Sequence, residues 1–200
     1  GKLIRIKKGL FVIQPLGTKE FKKGYPCNWF LVARALCAGE PYFVSHYSAM
    51  HLHGMTSEAI QTVFVSRPYQ RRVPKGLRIP VQFVAVSEKR FWGFEEKWVT
   101  NEEKVFLSDL ERTVLDILDR PDLAGGMMEI ARGLWLARKK LNFSKLFRDL
   151  KTFGSQAVAK RLGFLMELMS LGTSEDLRNV SRFIKSSKSF ASLDPSMEEG

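Results

Sequence analysis

Cysteine is nearly missing from this 200-residue chain, with only Cys27 and Cys37 present. Two thiols do not make a disulfide framework. They bracket a predicted helix, which at 1.5 Å per residue sets them roughly 15 Å apart. A bridge needs Cα atoms within about 7 Å. Reduced thiols in a cytoplasmic setting are therefore the expectation. Acidic residues are scarce in the first half: residues 1–100 hold 6 Asp and Glu against 16 Lys and Arg, a net of +10, while residues 101–200 come to +1. No apolar run approaches the ~18 residues that cross a bilayer, so no membrane partner is expected. A secretory leader is not expected either, because Gly1-Lys2-Leu3 leads straight into an alternating strand pattern. The missing initiator Met reads as a trimmed or partial chain. Fifteen Phe and long apolar periodicities argue against intrinsic disorder.

What is present divides the chain into a β-rich start and a helical end. Leu3-Ile4-Arg5-Ile6-Lys7 alternates apolar and basic residues, Lys8-Gly9 turns, and Leu10-Phe11-Val12-Ile13 returns, which predicts a β-hairpin. Residues 14–26 form a connector punctuated by Pro15, Gly17, Gly24 and Pro26. Trp29, Val32, Ala33 and Leu36 fall at i, i+3, i+4 and i+7, a helix that stops at Gly39 and Pro41. A short strand is expected around 42–44, followed by Ser45 as the N-cap of a helix ending at Gly54. Residues 62–65, 77–86 and 104–107 read as strands, with Pro80 demoting the second to an edge or broken strand. Ser108 and Glu111 fit a capping box opening a helix to Asp119, and Pro121 stops it. Four further helical stripes follow, through Met127–Leu141, Leu146–Phe153, Val158–Met169 and Leu177–Ile184, with Ser174 expected to cap the last. The fold class expected is α+β: an N-terminal hairpin, then a small sheet packed with a mostly helical C-terminal half.

The chemistry-bearing patterns are weak. His46, His51 and His53 do not share one helix face with a carboxylate, as a zinc site requires. Gly154-Ser155 lacks the converging aspartates of a nucleotidyltransferase. Pro121-Asp122 followed by Asp149-Leu150-Lys151 mimics a nuclease signature, but Asp149 and Lys151 at i, i+2 on a helix diverge. No catalytic residue, metal or cofactor is expected, and the chain does not read as an enzyme.

The basic residues carry more information. Arg67, Arg71, Arg72, Lys75 and Arg78 lie within twelve residues around Tyr69, with no acidic residue between them. Arg5, Lys7 and Lys8 cluster on the hairpin. Both groups are candidates for phosphate contact. Arg138-Lys139-Lys140, Lys145 with Arg148, and Lys160-Arg161 are interleaved with acids and read as solvated helix faces.

Several of these residues together resemble a known family. Ser45-x-x-Ser48-Ala49 through Gly54, Thr62-x-Phe64-Val65, Ser108-Asp109-Leu110-Glu111-Arg112-Thr113-x-Leu115-Asp116 before Pro121, Arg161-Leu162-Gly163-Phe164-Leu165-x-Glu167 and Leu193-Asp194-Pro195 resemble the AbiEi-type antitoxins of type IV, abortive-infection toxin–antitoxin systems. The resemblance implies an antitoxin and transcriptional autorepressor that binds inverted repeats in double-stranded operator DNA. It also implies phage defence by counteracting a nucleotidyltransferase toxin without a stable complex. Residues 1–24 would then be the wing and linker of a winged helix-turn-helix domain, 25–186 the antitoxin domain, and 187–200 a Ser-rich tail. The helices that precede the wing in the family are not in this sequence, so no recognition helix is assigned.

Among the family positions, Ser48, Gly54, Asp109, Glu111, Arg112, Thr113, Asp116, Arg161 and Gly163 read as structural. Asp109, Arg112 and Asp116 are each one helical turn apart, which predicts an ion-pair network pinning that helix to the sheet. Gly163 within a helix predicts a close helix–helix approach. Paired half-sites imply a dimer or cooperative binding on DNA. The alternative reading is a basic protein- or RNA-interaction module without repressor activity.

Overall fold

The computed structural model describes residues 2–7, 9–14, 28–69, 80–184 and 191–193. The protein is α+β. Strands β1 (Lys2–Lys7) and β2 (Leu10–Gln14) form the antiparallel hairpin. Its Ile6 is 1% exposed and belongs to the same apolar cluster as Phe30, Val32 and Val65, so Ile6 anchors the hairpin to the body.

That body holds a five-stranded mixed sheet. Its strands are β3 (Phe43–Val44), β4 (Val63–Arg67), β5 (Val81–Ala85), β6 (Phe94–Trp98) and β7 (Lys104–Ser108), in the spatial order β5-β4-β3-β7-β6. β3 pairs antiparallel with β4 and parallel with β7, and β4 pairs parallel with β5. Strand alternation sorts the sheet's two faces. Val44 stands opposite both Val65 and Leu107, and all three join Val63 and Val105 under helix α1 (Trp29–Leu36). Phe43 points the other way and stacks on Phe94 at 5.1 Å between ring centroids. Pro80 immediately precedes β5, which is an edge strand, as a residue without an N–H requires. β6 was not legible in the sequence.

Helix α2 (His46–Leu52) follows β3, and α3 (Leu110–Asp119) follows β7. The helical half consists of α4 (Gly126–Ala137), α5 (Phe143–Phe153), α6 (Gln156–Met169) and α7 (Ser174–Ile184). These four pack with α3 into a second apolar core that includes Leu115, Ile130, Leu150 and Leu162. A Cβ at Gly163 of α6 would lie 3.3 Å from Ile184 and 3.4 Å from Val180, so this glycine lies against α7.

Three caps differ from expectation. Asp109, not Ser108, caps α3 by accepting from the Arg112 N–H at 2.9 Å. Ser108 ends β7, and its hydroxyl contacts Thr113 Oγ1 at 2.8 Å. Glu111 accepts from the Asn142 N–H instead, bracing the start of α5. Ser45 is the N-cap residue of α2, as expected, but its side chain makes no cap bond. Thr173, not Ser174, closes the start of α7: its hydroxyl accepts from the Asp176 N–H and its own N–H donates to the Asp176 carboxylate.

Candidate functional site

The hairpin exposes a specific pair. Arg5 stands directly opposite Phe11, and both are exposed, Phe11 by 49%. Opposed residues on an antiparallel pair share one face, so a cation and an aromatic ring are presented together. Phe11 was not singled out by sequence; the signal was its offset from Arg5 across the Lys8-Gly9 turn. Lys8 lies outside the described residues, and Lys7 lies on β1.

The second basic group loses a member. Arg67 does not belong to a phosphate-contacting surface: its side chain is 0% exposed and ion-paired with Glu40. It also donates to Tyr69 Oη at 2.7 Å and lies over the rings of Tyr69 and Phe83. The acid that neutralises it comes from the turn after α1, which a scan of the neighbouring sequence does not reach. Arg71, Arg72, Lys75 and Arg78 lie outside the described residues.

The family residues converge on α3 and its surroundings. Arg112, 0% exposed, donates through Nε to Asp116 Oδ1 at 2.9 Å and through Nη1 to the carbonyls of Arg90 and Trp92. Its guanidinium lies 4.6 Å from the Trp92 ring centroid. Gly93 adopts φ +73°, and a Cβ there would meet Arg112 Cβ at 3.1 Å, so the position favours glycine on both backbone and contact grounds. Burial pushes the Asp116 pKa up to about 6, against the pull of Arg112. Asp109 is not paired with the Arg112 guanidinium, contrary to expectation. Its carboxylate turns to Lys145 of α5, which also binds Glu111 and Asp149, at 2.7 to 3.0 Å. Those three carboxylates hold the Lys145 pKa well above its usual value, outweighing the opposing burial.

The remaining family positions act likewise. Ser48 donates to the Thr62 carbonyl and accepts from the Phe64 N–H, tying α2 to β4. Gly54 adopts φ +70° where α2 ends. Arg161 reaches from α6 to the Leu118 carbonyl at 2.7 Å and the Ser192 carbonyl at 2.9 Å. Asp149 sits on α5 against Lys145 and Asp122 pairs with Arg120, so each nuclease-like carboxylate already holds a cation.

The histidines are separated by their partners. His51 Nδ1 lies 3.2 Å from the Glu58 carbonyl and His53 Nε2 2.7 Å from that of Ser108. His46 is buried, with Nδ1 2.8 Å from Ser45 Oγ, which itself accepts from Ser66. Burial first, then Arg120 and Arg112, depress the His46 pKa to about 3, so the ring is neutral. Among the described residues, no group of three or more His, Cys, Asp and Glu is arranged to hold a metal ion. Among them, too, no helix is long and apolar enough to cross a membrane.

No protein-family profile and no curated protein matches the chain. Among solved structures it is similar to the RV2827C protein from Mycobacterium tuberculosis, with a TM-score of 0.65 and 15% sequence identity. The match covers 94% of this chain and 67% of that one. At that identity the likeness concerns the fold.

Proposed function

We propose that this chain is a non-enzymatic DNA-binding regulator of the antitoxin type, repressing its own operon and counteracting a nucleotidyltransferase toxin. The observation that carries the DNA-binding part is the hairpin's outward face, where Arg5 and Phe11 stand opposite each other while Ile6 fixes the hairpin to the core. On a duplex, Arg5 with Lys7 and Lys8 would hold the phosphate backbone and set register, leaving base reading to other elements. The +10 charge of the first hundred residues supports a polyanionic partner. The antitoxin part rests on the resemblance of the 45–65, 108–116 and 161–167 motifs to the AbiEi type. Inverted repeats would be read by a dimer or by cooperative binding. No cofactor is needed for this activity.

Fluorescence anisotropy of the whole chain, against its own upstream duplex and a scrambled one across a salt series, tests the reading. The expected result is tighter binding to the upstream duplex. Arg5→Ala with Lys7→Ala should weaken binding to both duplexes and reduce the salt slope by about 1 to 2. Unchanged affinity in that variant removes the hairpin from the interface. Preference for structured RNA over either duplex reassigns the chain to RNA. Co-expression with the operon's own toxin tests the second half: growth should be restored by the whole chain, and continued toxicity overturns the antitoxin assignment.

A further inference from the structure

An open cleft of about 410 Å³ lies beside α2, walled by the segment after that helix and by residues 122–125. Its size falls within the roughly 300 to 1,000 Å³ of small-molecule sites. Tyr47 and Phe64 supply aromatic surface, Glu58 and Asp122 carboxylates, and Gln61 an amide. The rim is fixed from several directions. Thr56 Oγ1 accepts from the Glu58 N–H and meets the Tyr47 hydroxyl at 3.3 Å, while the Glu58 carbonyl contacts His51. Arg120 grips both oxygens of Asp122, at 2.9 and 2.6 Å. His46, just before Tyr47, is held at φ +52°, its ring 6.2 Å from that of Phe64. A non-glycine residue there is strained, and strain of this kind persists where surrounding structure imposes it, often at ligand sites.

The two carboxylates differ in what they have left to offer. Asp122 is ionised and accepts one Arg120 N–H on each oxygen, its pKa held down chiefly by that bond, which leaves a second lone pair on each oxygen for hydroxyl donors. Arg132 approaches Glu58 only to 3.8 Å, beyond hydrogen-bond distance. Glu58, its side chain 66% exposed and held, among the described residues, only by that long ion pair, lines the cleft together with Tyr47 and Phe64. A carboxylate is matched by two parallel N–H donors. Among the common bases, adenine and cytosine offer an amine beside a ring acceptor, and uracil one N–H between two carbonyls. Guanine alone sets a ring N–H next to an exocyclic amine.

We propose that this cleft binds a guanine base, stacked on Phe64 and Tyr47 with its donor edge on Glu58. Asp122 is the acceptor for ribose hydroxyls when the base comes as a nucleoside. The base can be supplied by free guanosine or by an unpaired guanine in a single strand.

Isothermal titration of the whole chain uses guanosine, inosine and adenosine, which carry no phosphate to engage the basic surface. A parallel titration uses short single-stranded RNAs with and without one guanine. Saturable guanosine binding at least tenfold tighter than that of inosine, which lacks the amine, is expected. Glu58→Gln should lose it tenfold or more, with an unchanged melting temperature because the side chain is exposed. Asp122→Asn should weaken guanosine more than the oligonucleotide. Binding confined to the guanine-containing RNA identifies the strand as the source. Equal binding of all ligands, no saturable binding at millimolar concentration, or Glu58→Gln matching the parent overturns the proposal.

Discussion

Arg112 and Asp116 form an ion pair one helical turn apart, at 2.9 Å, with side chains 0% and 4% exposed. The pair lies on the buried side of α3 where that helix meets the residues before β6, and Arg112 also ties down the carbonyls of Arg90 and Trp92. It thus joins the sheet half to the helical half. Breaking a buried pair by removing one partner costs about 3 to 5 kcal/mol, because the other charge stays buried. Arg112→Met should lower stability by that order in chemical denaturation. Arg112→Lys should rescue little, since one ammonium does not reproduce the planar fork.

The pH dependence follows from two buried groups of opposite sign. His46 binds its proton less readily folded (about 3) than unfolded (6.5), so its contribution is lost as pH falls from 6.5 toward 3. Asp116 binds its proton more readily folded (about 6) than unfolded (3.8), so acidification through that window favours the fold. His53, depressed chiefly by burial, acts with His46. His46→Asn, which tolerates a positive φ, should make the acid loss smaller by about 1.4 kcal/mol for each pH unit between 6.5 and 4. Denaturant midpoints read at several pH values check the slope. An identical slope in the variant places the His46 ring in solvent.

Two helical glycines should respond differently to alanine. At Gly163 the added Cβ meets only the side-chain ends of Ile184 and Val180. Gly163→Ala should therefore stay within about 1 kcal/mol of the parent, helix propensity offsetting the contact. At Gly133 the Cβ would lie 3.1 Å from the Met55 carbonyl oxygen and 2.8 Å from Met50 Cε. Gly133→Ala should lose about 1 to 3 kcal/mol by overpacking. Thermal melts of the two variants side by side give the comparison.

Removing Lys145 leaves Asp109, Glu111 and Asp149 facing one another. Lys145→Met should cost about 1 to 3 kcal/mol, and the loss should shrink as salt screens the carboxylates. Melting at two ionic strengths distinguishes this from a simple packing defect, which salt would not relieve.

Arg67 and Arg5 should separate stability from DNA binding. Arg67→Ala strips Glu40 and Tyr69 of their buried partner and should lower the melting temperature. Arg5→Ala, on an exposed face, should leave melting within about 0.5 kcal/mol and weaken duplex binding instead. A steeper loss of DNA affinity from Arg67→Ala at a temperature where it remains folded would return Arg67 to the interface.

Local pattern made most of the fold legible, and distance in sequence hid the rest. The stripes through Val114 and Ile117, or Val158 and Leu162, announce their helices because one face of each is buried. Strand β6 reads Phe-Glu-Glu-Lys-Trp and lies at the sheet edge with four of its five residues exposed, so no apolar alternation marks it. The pairing of Arg112 with Asp116 was readable because helical neighbours are three or four residues apart. Lys145 meets Asp109 from thirty-six residues away, and Arg67 meets Glu40 from twenty-seven. Nothing in a helical wheel or strand period encodes such partners. The cleft beside α2 is equally hidden, being assembled from three separated segments.

The central strand of the sheet is only two residues long, and one of its two neighbours, β7, pairs with it sixty-three residues later. Such a join carries a loop-closure cost before any contact rewards it, and long-range pairing of this kind slows folding. During synthesis β3 and β4 can meet early, but the middle of the sheet keeps one open flank until β7 has been made. α3 follows β7 at once, bringing Arg112 to the carbonyls of Arg90 and Trp92. The order of manufacture therefore makes β7 the closing piece, and the vulnerable interval is the one just before it.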